Sequence, residues 1–108
     1  MNVEVVLTDD AAQDLAGIYA YILDKNSPES AISILDNIES TVTNLAHFPL
    51  KGSYPRELLI LGIKEYRQVF FKSYRIIYRV IKRQVIVFCI VDERRDMQTL
   101  LQHRLLSR

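Results

Sequence analysis

The hydrophobic pattern changes its period near Thr8. Before this residue, Val3, Val5 and Leu7 recur at every second position, which predicts a half-buried strand over residues 3–7. After it, apolar residues recur at helical spacing, namely Leu15, Ile18, Tyr19 and Ile22. Thr8 suits the N-cap of this helix, because a hydroxyl can accept a backbone hydrogen bond from the first turn. The sequence therefore predicts a strand followed at once by a helix that ends near residues 25–26.

A second helix is predicted to begin at Ser27. The phrase SPE at 27–29 offers a capping serine, a proline at the first helical position and an acid in the first turn. A second apolar stripe follows and stops before Pro49; it consists of Ile34, Leu35, Ile38, Val42 and Leu45. Because few residues separate the two helices, we expect them to pack as an antiparallel hairpin.

The second half of the chain predicts a sheet. After a loop at 51–55 and an apolar stretch at 58–61 that ends at Gly62, three runs rich in β-branched and aromatic residues cover 66–71, 74–81 and 85–91. Their connections are so short that they require hairpins, and hence an antiparallel meander. The run at 85–91 is apolar at every position, which indicates a central strand covered on both faces.

Asp96 is suited to open a last helix, with Met97, Leu100, Leu101 and Leu105 on one face. The order of elements is then β-α-α-β-β-β with a C-terminal helix. We therefore predict a single α+β domain over residues 1–108, in which an N-terminal helical hairpin packs on a twisted antiparallel sheet.

The net charge of +1 conceals two oppositely charged halves. Residues 1–50 contain one basic and eight acidic residues, a net charge of −7, and residues 51–108 contain thirteen basic and five acidic residues, a net charge of +8. Two interpretations are open: the halves attract each other within the fold, or the second half presents a basic face to an acidic partner or a nucleic acid.

Several classes of protein are disfavoured by the sequence. No apolar run approaches the length that spans a bilayer, and the N-terminus lacks the pattern of a signal peptide. Cys89 is the only cysteine, so it has no disulfide partner within the chain. We found no clustered Cys and His residues and no phosphate-binding glycine loop. These features predict a cytoplasmic protein without a metal or cofactor, and without a membrane partner.

A series of short phrases resembles the RelE/ParE superfamily of toxins. They are LAHFP at 45–49 with a following glycine, YR at 66–67, YRIIY at 74–78, VDERRD at 91–96 and HRL at 103–105. The resemblance covers nearly the whole chain and is strongest to ParE-type members. It implies the toxin of a type II toxin–antitoxin system, which a cognate antitoxin neutralises.

Two activities occur in this superfamily, and the resemblance implies different residues for each. RelE-like members cleave mRNA on the ribosome, and the residues of this chain that would serve that reaction are Arg67, Arg75 and Arg94. One of the lysines that such enzymes carry is replaced by Val69, and Leu100 lies where their C-terminal tyrosine falls. Arginine is a poor proton shuttle at neutral pH. We therefore expect no catalytic residues and a non-enzymatic inhibitor of DNA gyrase; an mRNA endoribonuclease is the alternative, and an inert module that binds only its antitoxin is a third hypothesis.

The C-terminal region is the predicted surface for the target. Its four arginines are Arg94, Arg95, Arg104 and Arg108. If the last helix begins at Asp96, Arg104 and Arg108 share one face at i, i+4, and we expect both side chains to point into solvent. Reversing their charge should then abolish gyrase inhibition and leave folding intact, and we expect no sequence-specific binding of DNA.

Overall fold

A computed structural model of the chain describes residues 3–106. In chain order its elements are β1 (Glu4–Leu7), α1 (Asp9–Lys25), α2 (Pro28–Asn44), α3 (Arg56–Leu59), β2 (Tyr66–Phe71), β3 (Tyr74–Ile81), β4 (Gln84–Asp92) and α4 (Met97–Leu101), and a π-helical turn (Gln102–Leu106) continues the last helix. The α+β class and the order of the predicted elements are confirmed.

Both helices of the hairpin begin at the predicted caps. The Thr8 hydroxyl oxygen accepts a hydrogen bond from the Ala11 backbone N–H at 3.1 Å, and Ser27 does the same for Ser30 at 3.1 Å. Asp9 and Asp10 lie in the first turn of α1, where the helix dipole favours negative charge. Local sequence therefore determines where the hairpin starts and turns.

The sheet is mixed, with strand order β1-β4-β3-β2. Strands β2, β3 and β4 form the predicted antiparallel meander, and β4 lies in the interior of the sheet as predicted. The first strand adds to β4 in parallel, with Glu4 opposite Gln84, so the sheet is not antiparallel throughout. A parallel pair needs a crossover, and the helical hairpin supplies it.

A β-bulge interrupts β4 near its middle. Ile77 of β3 lies opposite Cys89, whereas the next residue, Tyr78, lies opposite Val87, so Phe88 is the extra residue. The strand β1 ends at the partner of Val87. The second half of β4 therefore has no neighbouring strand on the β1 side among the described residues.

Apolar residues are buried on both faces of the sheet. One face packs against the helical hairpin and contains, among others, Ile38, Val42, Leu45, Ile76, Tyr78, Val85, Val87 and Ile90. The other face packs against α3 and α4 and contains Leu58, Tyr66, Ile77, Cys89, Val91, Met97 and Leu101. Burial of each large aliphatic side chain contributes roughly 1.5–3 kcal/mol, so both layers stabilise the sheet.

The long link between α2 and β2 contains the one helix that the sequence analysis missed. Residues 48–61 of this link, here called the connecting segment, run beside β2 and then form α3. Ser53 forms a two-way backbone bridge with Gln68 on the outer edge of β2, at 3.1 and 2.7 Å. Leu58 of α3 is buried in the second core. The predicted loop is therefore a structured part of the fold.

Candidate functional site

Arg67, the first of the arginines considered for RNA cleavage, binds the connecting segment. From edge strand β2 its guanidinium donates to the carbonyl oxygens of Gly52 at 2.8 Å and Leu50 at 3.3 Å. It also donates to the Tyr54 hydroxyl at 3.3 Å and lies 4.8 Å from the centre of that ring. The side chain therefore holds a loop in place through carbonyl groups.

Arg75, the second candidate, is buried in a bidentate ion pair. Its guanidinium nitrogens lie 2.7 and 3.2 Å from the two carboxylate oxygens of Glu57, which belongs to α3. These hydrogen bonds hold the pKa of Glu57 below its usual value, although burial opposes the effect. The ring of Phe70 lies 5.8 Å away on the other side. Arg75 thus anchors α3 to the sheet.

Arg67 and Arg75 project from opposite faces of the sheet. Arg67 lies directly opposite Tyr78, and cross-strand partners share a face. Tyr78 packs in the core beneath the helical hairpin, whereas Arg75 is three positions away on the same strand. Side chains alternate along a strand, so an odd separation places two of them on opposite faces. The structure therefore does not bring these two arginines together on one face.

Arg94, the third candidate, lies after β4 and pairs with Asp92. The two guanidinium–carboxylate distances are 2.9 and 2.5 Å, and the Asp92 carboxylate also accepts the Arg94 backbone N–H at 2.9 Å. This pair lowers the pKa of Asp92 to about 2 and raises that of Arg94. The arginine side chain is 81% exposed, so it remains accessible to a partner.

Arg104, one of the four arginines predicted to meet the target, is not a free surface charge. Its side chain is only 19% exposed and forms a bidentate pair with Asp14 of α1, with both distances at 3.0 Å. It also donates to the Phe88 carbonyl at 3.0 Å. The expectation that this side chain points into solvent is wrong, because α1 offers a carboxylate beside the bulge of β4.

The other three target candidates differ in their surroundings. Arg94 and Arg95 are exposed, and both line a cleft between α1 and the end of β4. Arg108 lies outside the described residues. The structure therefore brings Arg94 and Arg95 together on one rim, whereas the Arg104 side chain is paired with Asp14.

Asp14 and Arg104 cap the open edge of β4. The Asp14 carboxylate accepts the Ile90 backbone N–H at 3.0 Å, while Arg104 binds the Phe88 carbonyl. These two backbone groups lie beyond the end of β1 and would otherwise lack a strand partner. Because the N–H and C=O of one strand residue point the same way, the Ile90 carbonyl faces this edge too. The Ile90 carbonyl is therefore the backbone group that this edge offers to an added strand, since the Ile90 N–H is already bonded to Asp14.

Clefts surround this open edge. The one next to Ile90 and Asp92 has a volume of about 440 Å³, and Tyr21 and Tyr74 contribute aromatic walls. Burial raises the pKa of Tyr74, so its phenol remains protonated at neutral pH. A larger cleft of about 700 Å³ adjoins it, lined by Asp10, Arg95, Asp96, Thr99, Leu100, His103 and Arg104. An apolar cleft of about 360 Å³ lies between α1, α2 and β1 and contains Tyr19 and Leu35.

Three positioning residues were not found from the sequence. Asp14 lies beside the apolar stripe of α1. An acid is buried there only if it has a partner, so its position could have indicated an ion pair. Glu57 gave no such signal. The Tyr78 hydroxyl donates to the Pro49 carbonyl at 2.8 Å and accepts the Gly52 N–H at 3.0 Å, a contact between residues far apart in the chain.

Two kinds of feature were looked for in the described part of the chain, a membrane-spanning helix and a cluster of metal ligands. Within residues 3–106, none of the helices has the length and apolar character needed to cross a bilayer. The same residues contain no group of three or more His, Cys, Asp or Glu side chains placed to hold a metal ion.

Comparison with known proteins identifies the class. A family model described as the ParE toxin of type II toxin–antitoxin systems, parDE, matches residues 5–97. The chain therefore belongs to the ParE toxin family. The arrangement of a helical hairpin over a four-stranded sheet agrees with that membership.

Two solved structures resemble the chain in fold. The chromosomal ParDE toxin–antitoxin system from P. aeruginosa aligns with a TM-score of 0.70 and 20% identity, covering 83% of this chain and 95% of that one. The RelBE2 toxin–antitoxin complex from Mycobacterium tuberculosis aligns with a TM-score of 0.60 and 21% identity, covering 85% and 99%. At such identities the likeness establishes the fold alone. A search of curated proteins found no match.

Proposed function

We propose that this toxin acts without chemistry of its own, as a protein ligand that inhibits DNA gyrase. The observation that carries this proposal is the placement of Arg67 and Arg75 on opposite faces of the sheet. Cleavage of RNA through the 2′-hydroxyl needs a proton acceptor, a proton donor and cations around one phosphate. Here each arginine that could supply a cation is bound to another part of the chain: to carbonyls, to Glu57 or to Asp92.

The carboxylates bound to these arginines do not supply a proton donor. Glu57 is held in its ionised form by Arg75, and Asp92 by Arg94, so neither suits a proton donor at neutral pH. Burial raises the pKa of Tyr78, and its hydroxyl is bound on both sides to the loop before Tyr54. A non-enzymatic activity fits these constraints better than an endoribonuclease does.

The proposed partner in the resting state is a cognate antitoxin. An extended segment can bind by adding a strand to an exposed sheet edge. The second half of β4 lies beyond the end of β1, and there the Ile90 carbonyl faces the edge while Asp14 holds the Ile90 N–H. The adjoining cleft supplies Tyr21 and Tyr74 for apolar side chains. Exposed Arg94 and Arg95 at its rim favour acidic residues in the partner. We place this association in the cytoplasm.

A two-arm assay tests the proposal. Purified protein is added to gyrase with supercoiled plasmid, and separately to translating ribosomes with a defined mRNA. We expect accumulation of cleaved plasmid DNA in the first arm and intact mRNA in the second. New mRNA ends mapped to the ribosomal A site by primer extension would instead favour the endoribonuclease. Inactivity in both arms, with antitoxin binding preserved, would favour the inert binding module.

A further inference from the structure

The connecting segment exposes an unusual amount of apolar surface. Its exposed large apolar side chains are Phe48, Leu50, Tyr54, Leu59, Ile60 and Leu61, which is half of the twelve such side chains among the described residues. Phe48 is 60% and Leu50 63% exposed. Scattered exposed apolar residues need no explanation, but their concentration in one stretch of 14 residues marks an interaction site.

This segment is held rigidly by the sheet. Arg67 binds the carbonyls of Leu50 and Gly52, the Tyr78 hydroxyl bridges Pro49 and Gly52, and Ser53 forms its backbone bridge to β2. Further along, Arg75 fixes α3 through Glu57. These contacts use backbone, hydroxyl and charged groups. Arg67 also contacts the Tyr54 side chain, whereas Phe48, Leu50, Ile60 and Leu61 remain more than half exposed. A surface that is already ordered loses little entropy when it binds.

The charges of the segment define the chemistry of its partner. The segment contains Lys51, Arg56 and Glu57, and the only acid of the three is paired with Arg75. The two cations are exposed and therefore favour an acidic rim on the partner. Lys51 already donates to Asn44, and Arg67 to carbonyls. Since aliphatic surface dominates and the nearby guanidinium is occupied, a protein surface fits better than a nucleic acid.

The segment is separate from the surface assigned to the antitoxin. It runs beside β2, at the opposite edge of the sheet from β1. The three clefts around α1, β4 and the C-terminal turn contain none of its residues. Flexible peptides bind along clefts and open edges, whereas a rigid array of exposed side chains suits a folded partner.

We propose that the connecting segment is the surface by which the toxin binds its target, a folded protein with apolar recesses and an acidic rim. This inference rests on the proposed function, in which a protein is the target and the toxin is its ligand. It replaces the C-terminal arginines as the main contact, because Arg104 serves the fold.

Two double variants test this surface at its two ends: F48S/L50S before α3, and I60S/L61S directly after it. The matched control is L23S/I32S, which removes exposed apolar side chains from α1 and α2; Ile32 is 51% exposed. Each protein is assayed for thermal melting, growth arrest on expression, binding to the co-expressed product of the adjacent open reading frame, and binding to purified gyrase. Single variants F48S and I60S replace any double variant that does not fold.

We expect both double variants to fold and to bind the co-expressed product as wild type does. They should no longer arrest growth, and their affinity for gyrase should fall by about tenfold or more. The control should behave as wild type. Retained growth arrest in a folded variant would overturn the inference. Loss of binding to the co-expressed product would also overturn it, because the segment would then belong to the antitoxin site. A variant that binds a short DNA duplex more weakly than wild type does would indicate a nucleic-acid surface instead.

Failure of the proposed function gives a different result. If the wild-type protein arrests growth but does not bind gyrase, gyrase is excluded as the target. Growth arrest by the variants then still shows whether the segment contacts another target. Wild-type protein that neither arrests growth nor binds gyrase would overturn both proposals.

Discussion

Two of the arginines that join distant parts of the chain, Arg104 and Arg67, do so differently. At the C-terminal turn, Arg104 meets a carboxylate, Asp14, and the pair caps the edge of β4. At the opposite edge of the sheet, Arg67 meets only carbonyl and hydroxyl oxygens of the connecting segment. In the first place the positive charge is neutralised, and in the second it is not.

The difference explains how one charge asymmetry serves two purposes. Asp14 comes from the acidic first half and Arg104 from the basic second half, so their ion pair is an attraction between the halves. The first interpretation of the charge pattern, attraction within the fold, therefore applies at this junction. At the connecting segment the cations have no acid from the first half as a partner among the described contacts. There the charge remains available to a binding partner, as the second interpretation requires.

The largest effect is expected from Arg104→Glu, although the sequence alone predicted that reversing this charge would leave folding intact. This change places a third carboxylate beside Asp14 and Asp10 and leaves the Phe88 carbonyl without its donor. Loss of one member of a buried ion pair costs about 3–5 kcal/mol. We expect urea denaturation to show that the free energy of unfolding falls by at least about 3 kcal/mol. The exposed control, Arg95→Glu, should stay within about 0.5 kcal/mol of wild type.

A charge swap makes this test sharper. In D14R/R104D the two charges remain opposite, but an arginine then faces the Ile90 N–H and a carboxylate faces the Phe88 carbonyl. If capping of the strand edge is the role of the pair, the swap does not restore stability. Recovery of wild-type stability would mean that charge alone matters at this junction.

Glycine-to-alanine substitutions compare the two regions directly. A Cβ at Gly52 would lie 2.6 Å from the Tyr78 hydroxyl and 2.7 Å from the Gln68 carbonyl, whereas a Cβ at Gly17 in α1 meets nothing within 4 Å. We expect Gly52→Ala to destabilise by about 1–3 kcal/mol and Gly17→Ala to stabilise by about 0.5–1 kcal/mol. Equal melting temperatures for the two variants would contradict the rigid placement of the connecting segment.

Acid should weaken the attachment of α3. The pKa of Glu57 is lower in the folded protein, chiefly because Arg75 donates to it, so its stabilising effect is complete above the ordinary value of 4.5. The effect is lost as the pH falls through the lowered pKa. Glu57→Gln should be less stable than wild type at neutral pH by about 1 kcal/mol, and the gap should close in acid. Glu65→Gln, which changes an exposed glutamate just before β2, is the matched control.

Local patterns in the sequence were sufficient for the helix starts and the meander. The caps at Thr8 and Ser27 act within three residues, and the hairpin after β2 spans two residues. The parallel addition of β1 to β4 joins residues 80 positions apart, as in the hydrogen bond between Gln84 and Glu4. A period of two predicts a strand but not its neighbour, so the mixed sheet was not predictable in this way.

The candidate site was predicted less well, for reasons of the same kind. Asp14 and Arg104 are 90 positions apart, and helical spacing alone made Arg104 look exposed. By contrast, the opposite placement of Arg67 and Arg75 was available in the sequence. A two-residue hairpin fixes Arg67 opposite Tyr78 and leaves Arg75 on the other face. The register of one hairpin therefore argues against a shared phosphate site before any tertiary contact is known.

The smallest effect is expected at the ion pair of Arg94 and Asp92. Arg94 and Arg104 both bind a carboxylate bidentately, but they differ in exposure. The Arg94 side chain is 81% exposed, so water and salt screen the attraction. We expect Arg94→Ala to melt close to wild type, with any difference disappearing in high salt. The loss in Arg104→Ala should persist in high salt, because that side chain is largely shielded from solvent. Parallel melts at low and high ionic strength measure both, and a salt-resistant loss in Arg94→Ala would show that Asp92 needs this partner to hold the end of β4.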